Sequence, residues 1–516
     1  MKRFLLVSVS ALALSTAPAS ADPISLAVAA ISTAGAVIGG GGIAATTFTA
    51  FGLSLTGLAA VGAQFAVRAA LGYALNALTA KSGGATGRGF STTVNALGTS
   101  LPHQIIYGET RVGGAVFYQA LTSSGANQDR FHRFIAFAGH EIDSYQAIYL
   151  DGIEVTIDGS GNVTAPSQFA NQVRIKQYLG TSTQTADTDA ISELTGWTVD
   201  HRARGVAYLY VRFEDASKFP NGVPTVTAKI RGKKVEDTRT STTAWSDNPA
   251  MIMRDYLLSD YGLSESAADI NETLFEAAAD LCDEDVSGAK RYTCNGAFTL
   301  DASPEDIIRN ILSSMGGIFW NYQGQWAVQA AEYITPTLTL TGDDLRGPIE
   351  VATRHSRRDN FNSIKGQYKG AETDYQADDY SIVTGPIFLS EDNGIPAVTD
   401  LDLLFTDTEI MAQRIARTAL RRNRFQQTVS AAFGLRALDL KIGDNVMLTI
   451  DHLGYSSKVF EVVDWRLGMK DLDIQVNMIL REMDETVFTG IVDTLQDESG
   501  NILQDESGNN LEAIAA

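Results

Sequence analysis

Hydrophobic and polar positions along this chain follow two unlike patterns. Pro23 to Val67 is apolar and small-residue-rich throughout, without a charged side chain. A membrane-spanning helix takes about 20 apolar residues. Ile24–Ile38 and Phe48–Val67 approach that length, with Gly39–Gly42 as a hinge. Gly52, Gly57, Ala60 and Gly62 would allow close helix packing. The pattern predicts a helical arm that is buried on every face, either in a membrane or inside a large assembly. Ile38, Phe48, Phe51, Leu55, Leu58 and Phe65 are its candidate lumen-facing or membrane-interacting residues. Residues 81–92 follow as a Gly-rich linker.

From Leu101 the pattern turns to short β-rich runs and turn residues. Gln104–Tyr118 predicts a hairpin, and Phe134–Phe137, Ala147–Leu150, Ile153–Ile157, Val206–Phe213 and Thr225–Ile230 predict strands. Asp158–Asn162 predicts a solvated turn; it lacks the terminal Glu of a calcium loop. Helical spacing then takes over in Asn248–Ser259, Ile270–Cys282 and Pro304–Ser314, with Asp247 or Asn248 and Ser303 as caps. Phe319–Gln329 predicts a hairpin with Gly324 at its tip. A long helix is predicted around Asp407–Arg424, with strands at Val446–Ile450, Lys458–Val463 and Ile474–Leu480 closing a barrel. Leu495-Gln-Asp-Glu-Ser-Gly-Asn501 recurs as Leu503–Asn509. Two copies cannot bury a core alone, so they are expected either to pack on a neighbour or to stay mobile. The fold class is α+β, multidomain and mainly β. Residues 1–100 form an arm and linker, 101–240 a β-rich domain, 241–335 a small α/β domain, 336–485 a barrel-like domain with one long helix, and 486–516 a repeat tail.

Charge divides along the same line. The chain carries 40 Lys plus Arg and 61 Asp plus Glu, a net −21. Residues 1–100 hold five of the bases and one of the acids, a balance of +4, which leaves −25 on the rest. An acidic body argues against a protein that coats nucleic acid. Arg414, Arg417, Arg421, Arg422 and Arg424 form a basic stripe on the long helix, expected to pair with acids on a neighbouring surface. Lys2 and Arg3, the apolar Phe4–Leu14 and Ala19-Ser20-Ala21 before Asp22 have the form of a secretory signal. Cys282 and Cys294 are either a short-loop disulfide or a buried thiol pair.

The sequence carries no recognisable catalytic or ligand-binding motif. None of the six His falls in HxH or HExxH spacing, and two Cys are too few for a zinc knuckle. There is no G-x-S-x-G elbow, and GGATGRG lacks the Lys-Ser/Thr of a phosphate loop. The expectation is a protein without enzymatic activity or cofactor.

Several segments resemble, in order, one family. Ile106-Tyr107-Gly108-Glu-Thr-Arg111-Val112-Gly113-Gly114 comes first, then Phe219–Pro224 with Ile230-Arg-Gly-Lys-Lys-Val235. Trp245-Ser-Asp-Asn248-Pro249-Ala250 follows, with Asp255-Tyr-Leu-Leu258 and Tyr261-Gly262. Arg291-Tyr-Thr-Cys294-Asn-Gly296 runs on to Gly317, Trp320, Gly324 and Trp326. Ser356-Arg357-Arg358, Gly443-Asp444 and Val459–Trp465 complete the series. Together they resemble the tail-tip proteins of long-tailed (siphovirus-type) bacteriophages, the family of the lambda-like host-specificity protein J and its shorter putative tail-protein relatives.

The resemblance implies a homotrimeric baseplate hub of β-barrel-like domains at the distal tip of a virion tail, assembled in the host cytoplasm. Such a hub closes the tail tube, meets the distal tail protein, the tape-measure protein and other tip or fibre proteins, and opens for genome ejection. DNA would be passing cargo. The match ends near residue 485, without the longer relatives' fibronectin-like domains and receptor-binding fibre, so receptor recognition is expected of another chain. On this reading Met1–Ala21 stays attached, and residues 23–67 plug the lumen or enter the host membrane. The rival expectation is an exported bacterial envelope protein with a cleaved signal.

Overall fold

The structure, a computed structural model, describes residues 48–50, 53–55, 95–97, 101–123 and 129–488, apart from 216, 217, 220, 221, 287, 323, 355, 357, 358, 471 and 472. The chain divides into two compact units, Met1–Leu78 and Thr79–Ala516. In the first, β1 (Phe48–Ala50) and β2 (Leu53–Leu55) pair antiparallel, with Phe48 opposite Leu55. This corrects the helical expectation at those positions. Phe and Thr suit a pleated backbone. Among the described residues no helix is long and apolar enough to cross a membrane. Ile38, Phe51, Leu58 and Phe65 lie outside the described residues, as do Met1–Ala21 and the tail repeat.

The second unit opens with β3 (Ala96–Leu97), β4 (Gln104–Tyr107), β5 (Glu109–Gly113), β6 (Ala115–Ser123) and β7 (Asp129–Ala138). Next come β8 (Ser144–Leu150), β9 (Ile153–Ile157), β10 (Val163–Ala165), β11 (Val173–Leu179), a short helix α1 (Thr188–Glu193), β12 (Ala207–Phe213) and β13 (Val226–Arg231). They build two five-stranded sheets, in the orders β10-β9-β8-β13-β5 and β11-β12-β7-β6-β3. Val112, Ile148 and Ile230 of one sheet share a core with Ile135, Leu209 and Val211 of the other. Every residue of β12 is buried. Its Leu209 and Val211 enter that core, and its Tyr208 and Tyr210 face an aromatic cluster with Phe134 and Trp197 beside α1. A strand covered on both faces reads as a continuous apolar run.

The expected hairpin over Gln104–Tyr118 does not form. β4 pairs with a distant strand, β5 with β13, and β6 with β7, so three consecutive strands enter three sheets. Gly108, at φ +63°, separates the first two, and Gly114 separates the next two. Gly108 instead lets the chain turn close against Asn295 and the Cys294 carbonyl, where a Cβ would not fit.

The middle of the chain supplies β14 (Lys234–Asp237), β15 (Thr242–Trp245), α2 (Pro249–Leu258), α3 (Glu272–Cys282), β16 (Asp285–Val286), β17 (Ala289–Lys290), β18 (Gly296–Thr299) and α4 (Pro304–Ser313). The hairpin β19 (Ile318–Tyr322) and β20 (Gln325–Gln329) follows as the pattern predicts. Asn248 caps α2, accepting from the Ala250 amide at 3.1 Å, and its side-chain amide donates to the Ala279 carbonyl of α3 at 2.9 Å. Pro249 then occupies a first-turn position where no amide is needed. Such a cap contributes about 1 kcal/mol, and here it also joins two helices.

The last part contains β21 (Thr339–Thr341), β22 (Glu350–Ala352), β23 (Ser363–Tyr368), β24 (Asp378–Thr384), α5 (Pro386–Glu391), β25 (Val398–Asp400) and α6 (Glu409–Arg424). It closes with β26 (Thr428–Phe433), β27 (Asn445–Ile450), β28 (Tyr455–Lys470) and β29 (Asp473–Glu482). Six strands form one sheet in the order β21-β27-β28-β29-β26-β22. The sheet is open, which corrects the barrel expectation. Closure requires the first and last strands to pair at a fixed stagger. Here β21 and β22 are three residues each and pair with β27 and β26 instead. One continuous core joins α2, α3 and α4 to β23, β24 and α6.

Two arginines of the α6 stripe meet acids on adjoining surfaces of the chain. Arg422 and Arg481 both bind the buried Glu461 carboxylate, and Arg424 reaches Asp392 at 2.7 Å. Arg414 donates to the Arg291 carbonyl at 2.7 Å, and Arg417 to the Gln413 side chain at 2.9 Å. Glu461 thereby ties α6 to the six-stranded sheet.

Candidate functional site: a polar junction where the sequence motifs meet

Three of the motif segments meet at one carboxylate. Asp255, on α2, accepts at Oδ2 from the Tyr107 hydroxyl at 2.5 Å and from Lys233 Nζ at 2.8 Å. The Tyr261 hydroxyl lies 2.8 Å from that of Tyr107 and 2.9 Å from Lys233 Nζ, and Lys233 also reaches Ser259 Oγ at 3.2 Å. Each group arrives from a different direction. Tyr107 ends β4, Lys233 lies between β13 and β14, and Ser259 and Tyr261 follow the last turn of α2. Burial pushes the Tyr107 hydroxyl well above its ordinary value, reinforced by Tyr261 and Asp255. For Lys233, burial opposes the charge, but Tyr261 and Asp255 outweigh it and the ammonium is held above its usual range. At neutral pH the tyrosine keeps its proton and the lysine its charge. The arrangement is an ion-pair lock rather than a proton relay.

A second knot lies beside the first. The Gly108 carbonyl accepts from the Trp245 indole at 3.1 Å and from the Gly232 amide at 2.8 Å. The next amide, that of Glu109, donates to Asn295 Oδ1 at 2.7 Å, and Asn295 Nδ2 donates to Asp407 Oδ2 at 2.8 Å. The Thr293 hydroxyl donates to the other Asp407 oxygen at 3.1 Å. Burial raises the Asp407 carboxyl, partly offset by Thr293 and Asn295. A Cβ on Gly108 would enter the Asn295 side chain and the Cys294 carbonyl, and one on Gly296 would enter the Phe405 ring. Cys294 is a buried free thiol whose amide donates to the Asp247 carbonyl at 2.7 Å; Cys282 is likewise buried and free. Of the two expectations for this pair, the structure has the thiols.

Along β5 the junction continues. Arg111 lies 3.8 Å over the Tyr149 ring, donates to Thr227 at 3.1 Å and pairs with Asp374 at 2.7 Å. Glu109 pairs with Lys229 at 2.6 Å and Arg231 at 3.0 Å. Lys229 and Arg231 outweigh the burial penalty and hold its carboxyl below the ordinary value. Gly113 sits opposite Thr227, and the Gly114 carbonyl accepts from the Ala96 amide at 3.1 Å.

The remaining motif positions lie elsewhere. Trp326 stacks on Phe319 across the β19–β20 hairpin, with ring centroids 4.9 Å apart. Gly443 and Asp444 form the turn before β27, where Asp444 accepts from the Lys441 amide at 3.0 Å. The Trp465 indole donates to the Ala437 carbonyl at 3.1 Å. Arg357 lies outside the described residues. Asp374, Phe405 and Asp407 belong to the junction without any local signal in the sequence. Only the pairing of distant strands brings them there. Among the described residues, no group of three or more His, Cys, Asp or Glu is placed to hold a metal.

No family model matches the chain, and no curated protein does. Among solved structures it is similar to a chain from the virion of a native gene transfer agent particle. The TM-score is 0.55 at 18% identity, covering 84% of this chain and 98% of that one. Two further matches are the tail protein from Neisseria meningitidis MC58, at TM-score 0.30, 12% identity and 74% and 99% coverage, and the 43 kDa tail protein of prophage MuSo2 from Shewanella oneidensis, at 0.30, 9%, 75% and 99%. The first match shows that this chain shares the fold of a virion component over most of its length.

Proposed function

We propose that this chain is a structural protein of a virion tail and forms the hub at its tip. The observation that carries the reading is the shared fold with the gene transfer agent virion chain, which takes in 84% of this chain and nearly all of that one. The junction supports it. A carboxylate saturated by Tyr107, Lys233 and Tyr261, and an Arg111 held on three sides, suit a rigid connector between domains better than a reacting centre. In this role the chain assembles as a trimer, meets distal tail, tape-measure and fibre proteins, and acts by conformational release during ejection. The acidic body would form a wall that passing DNA does not grip.

Electron cryomicroscopy of purified particles tests the reading. The expected result is three copies at the distal end of the tail, and particles from a deletion strain that lack a closed tip. A chain absent from particles and recovered from the cell envelope with Asp22 as its first residue would sink the hub and support export.

A further inference from the structure

One edge of the sheet β11-β12-β7-β6-β3 is only partly covered. β3 pairs with β6 at Ala115 and Val116, and among the described residues no strand borders Tyr118–Ser123 on that side. A bulge at Phe117 marks the place where β3 leaves. Beyond it β6 keeps a regular register with β7, from Tyr118 opposite Phe134 to Ser123 opposite Asp129. Every second residue of this run turns its N–H and C=O toward the open side. Natural sheets commonly guard such an edge with charges or proline. Neither is present here, for no charged residue and no proline occurs from Val112 to Gln128.

The side chains beside the edge add a specific demand. Gln119 lies opposite Arg133 and Leu121 opposite Phe131, so all four share one face of the sheet. Leu121 is 64% exposed. The Arg133 guanidinium lies 5.3 Å over the Phe131 ring, and its Nε is buried without a hydrogen-bond partner. Burial lowers Arg133 from its ordinary value, and among the described residues no carboxylate stands close enough to offset it. A half-buried guanidinium of this kind lacks a counter-charge, which a carboxylate would supply together with the missing hydrogen bonds.

We propose that Tyr118–Ser123 is a docking edge for an extended segment of a partner protein. The segment adds to the sheet next to β6, with an apolar side chain beside Leu121 and a glutamate beside Gln119 that reaches Arg133. Main-chain pairing holds the segment, and the alternation of its side chains makes the choice. Strands lie about 4.8 Å apart, so the glutamate stands roughly 10 Å from Arg133, a gap the two side chains span together. A second copy does not meet the demand through the same edge. Two β6 strands side by side would bring Tyr, Gln, Ala, Leu, Thr and Ser, and no carboxylate. Such docking needs no particular place in a tail.

Fluorescence anisotropy with the purified full chain is the test. The probe is a short labelled peptide that alternates valine and threonine and carries one central glutamate. The expected result is saturable binding that weakens at least about tenfold when the glutamate becomes glutamine. Arg133→Gln removes that difference and leaves the affinity for the glutamine peptide unchanged. N-methylation of alternate residues blocks binding in one phase and spares it in the other, because one edge of an added strand faces β6. Should Arg133→Gln not fold, the glutamate-to-glutamine ratio and the two N-methyl phases on the parent chain decide. No saturable binding, equal affinity for the two peptides, or N-methyl effects alike in both phases would each overturn the proposal. So would self-association of the chain that Leu121→Lys reverses, which would give the edge to a second copy.

Discussion

The Tyr107 hydroxyl donates to the Asp255 carboxylate at 2.5 Å across 148 positions of sequence, which joins the strand that opens the β-rich region to the first long helix. Lys233 neutralises the same oxygen from a third segment. The three are unequal. Removing the hydroxyl takes away one donor, whereas removing the charge of Asp255 leaves Lys233 without its partner. Tyr107→Phe is therefore expected to cost about 1–2 kcal/mol and Asp255→Asn about 2–3 kcal/mol in urea unfolding. Equal costs would mean that the carboxylate is not the centre of the lock.

The same group makes stability fall in alkali. Tyr107 is held above its unfolded value of 10.0 and Lys233 above 10.5, so the folded chain keeps protons that the unfolded chain loses. Both contributions are fully present below about pH 10 and are lost as pH rises from there toward the folded values. Unfolding free energy measured from pH 9 to 12 is expected to drop less steeply in Tyr107→Phe than in the parent. Parallel curves would show that Tyr107 titrates normally.

Gly108 and Gly152 separate backbone strain from crowding. Both have positive φ, +63° and +81°, but a Cβ on Gly152 meets nothing within 4 Å, whereas one on Gly108 enters Asn295 and the Cys294 carbonyl. Gly152→Ala is expected to cost about 1 kcal/mol and Gly108→Ala at least 2–3 kcal/mol, roughly the strain plus a lost buried hydrogen bond. Thermal denaturation of the two variants side by side decides it.

Glu461 carries the charge balance between α6 and the six-stranded sheet. Burial opposes its charge, but Arg422 and Arg481 win and its carboxyl is held below 4.5. Its contribution is thus present above about pH 4.5 and lost as pH falls through the folded value. Glu461→Gln leaves two buried guanidinium groups facing a neutral amide, at an expected cost of about 3–5 kcal/mol. Replacing Arg422, Glu461 and Arg481 together by Met should cost less than the single change. A larger cost for the triple variant would assign the loss to packing.

The two thiols report on core integrity. Cys282 and Cys294 are buried and unbonded, and burial pushes the Cys294 thiol up to about 12. Ellman's reagent at pH 8 is expected to label neither in the folded chain and both after denaturation. Rapid labelling without denaturant would show that the core around α3 opens readily.

How far the sequence alone reached depended on whether an element is specified locally. Its periodicity and caps located α2, α4, α6 and the β19–β20 hairpin, because a cap such as Ser303 and an i, i+4 apolar stripe act within a few residues. The order of the motif words led to the fold shared with a virion chain. The meeting of Tyr107, Lys233, Asp255 and Tyr261 was beyond it. So were the places of Asp374 and Asp407, the separation of β4, β5 and β6 into three sheets, and the open edge of the last sheet. Those are decided by which strand finds which partner. Backbone hydrogen bonds are nearly indifferent to side-chain identity, so pairing is chosen by the whole core, through the burial of both faces of β12 and the single turn at Gly108.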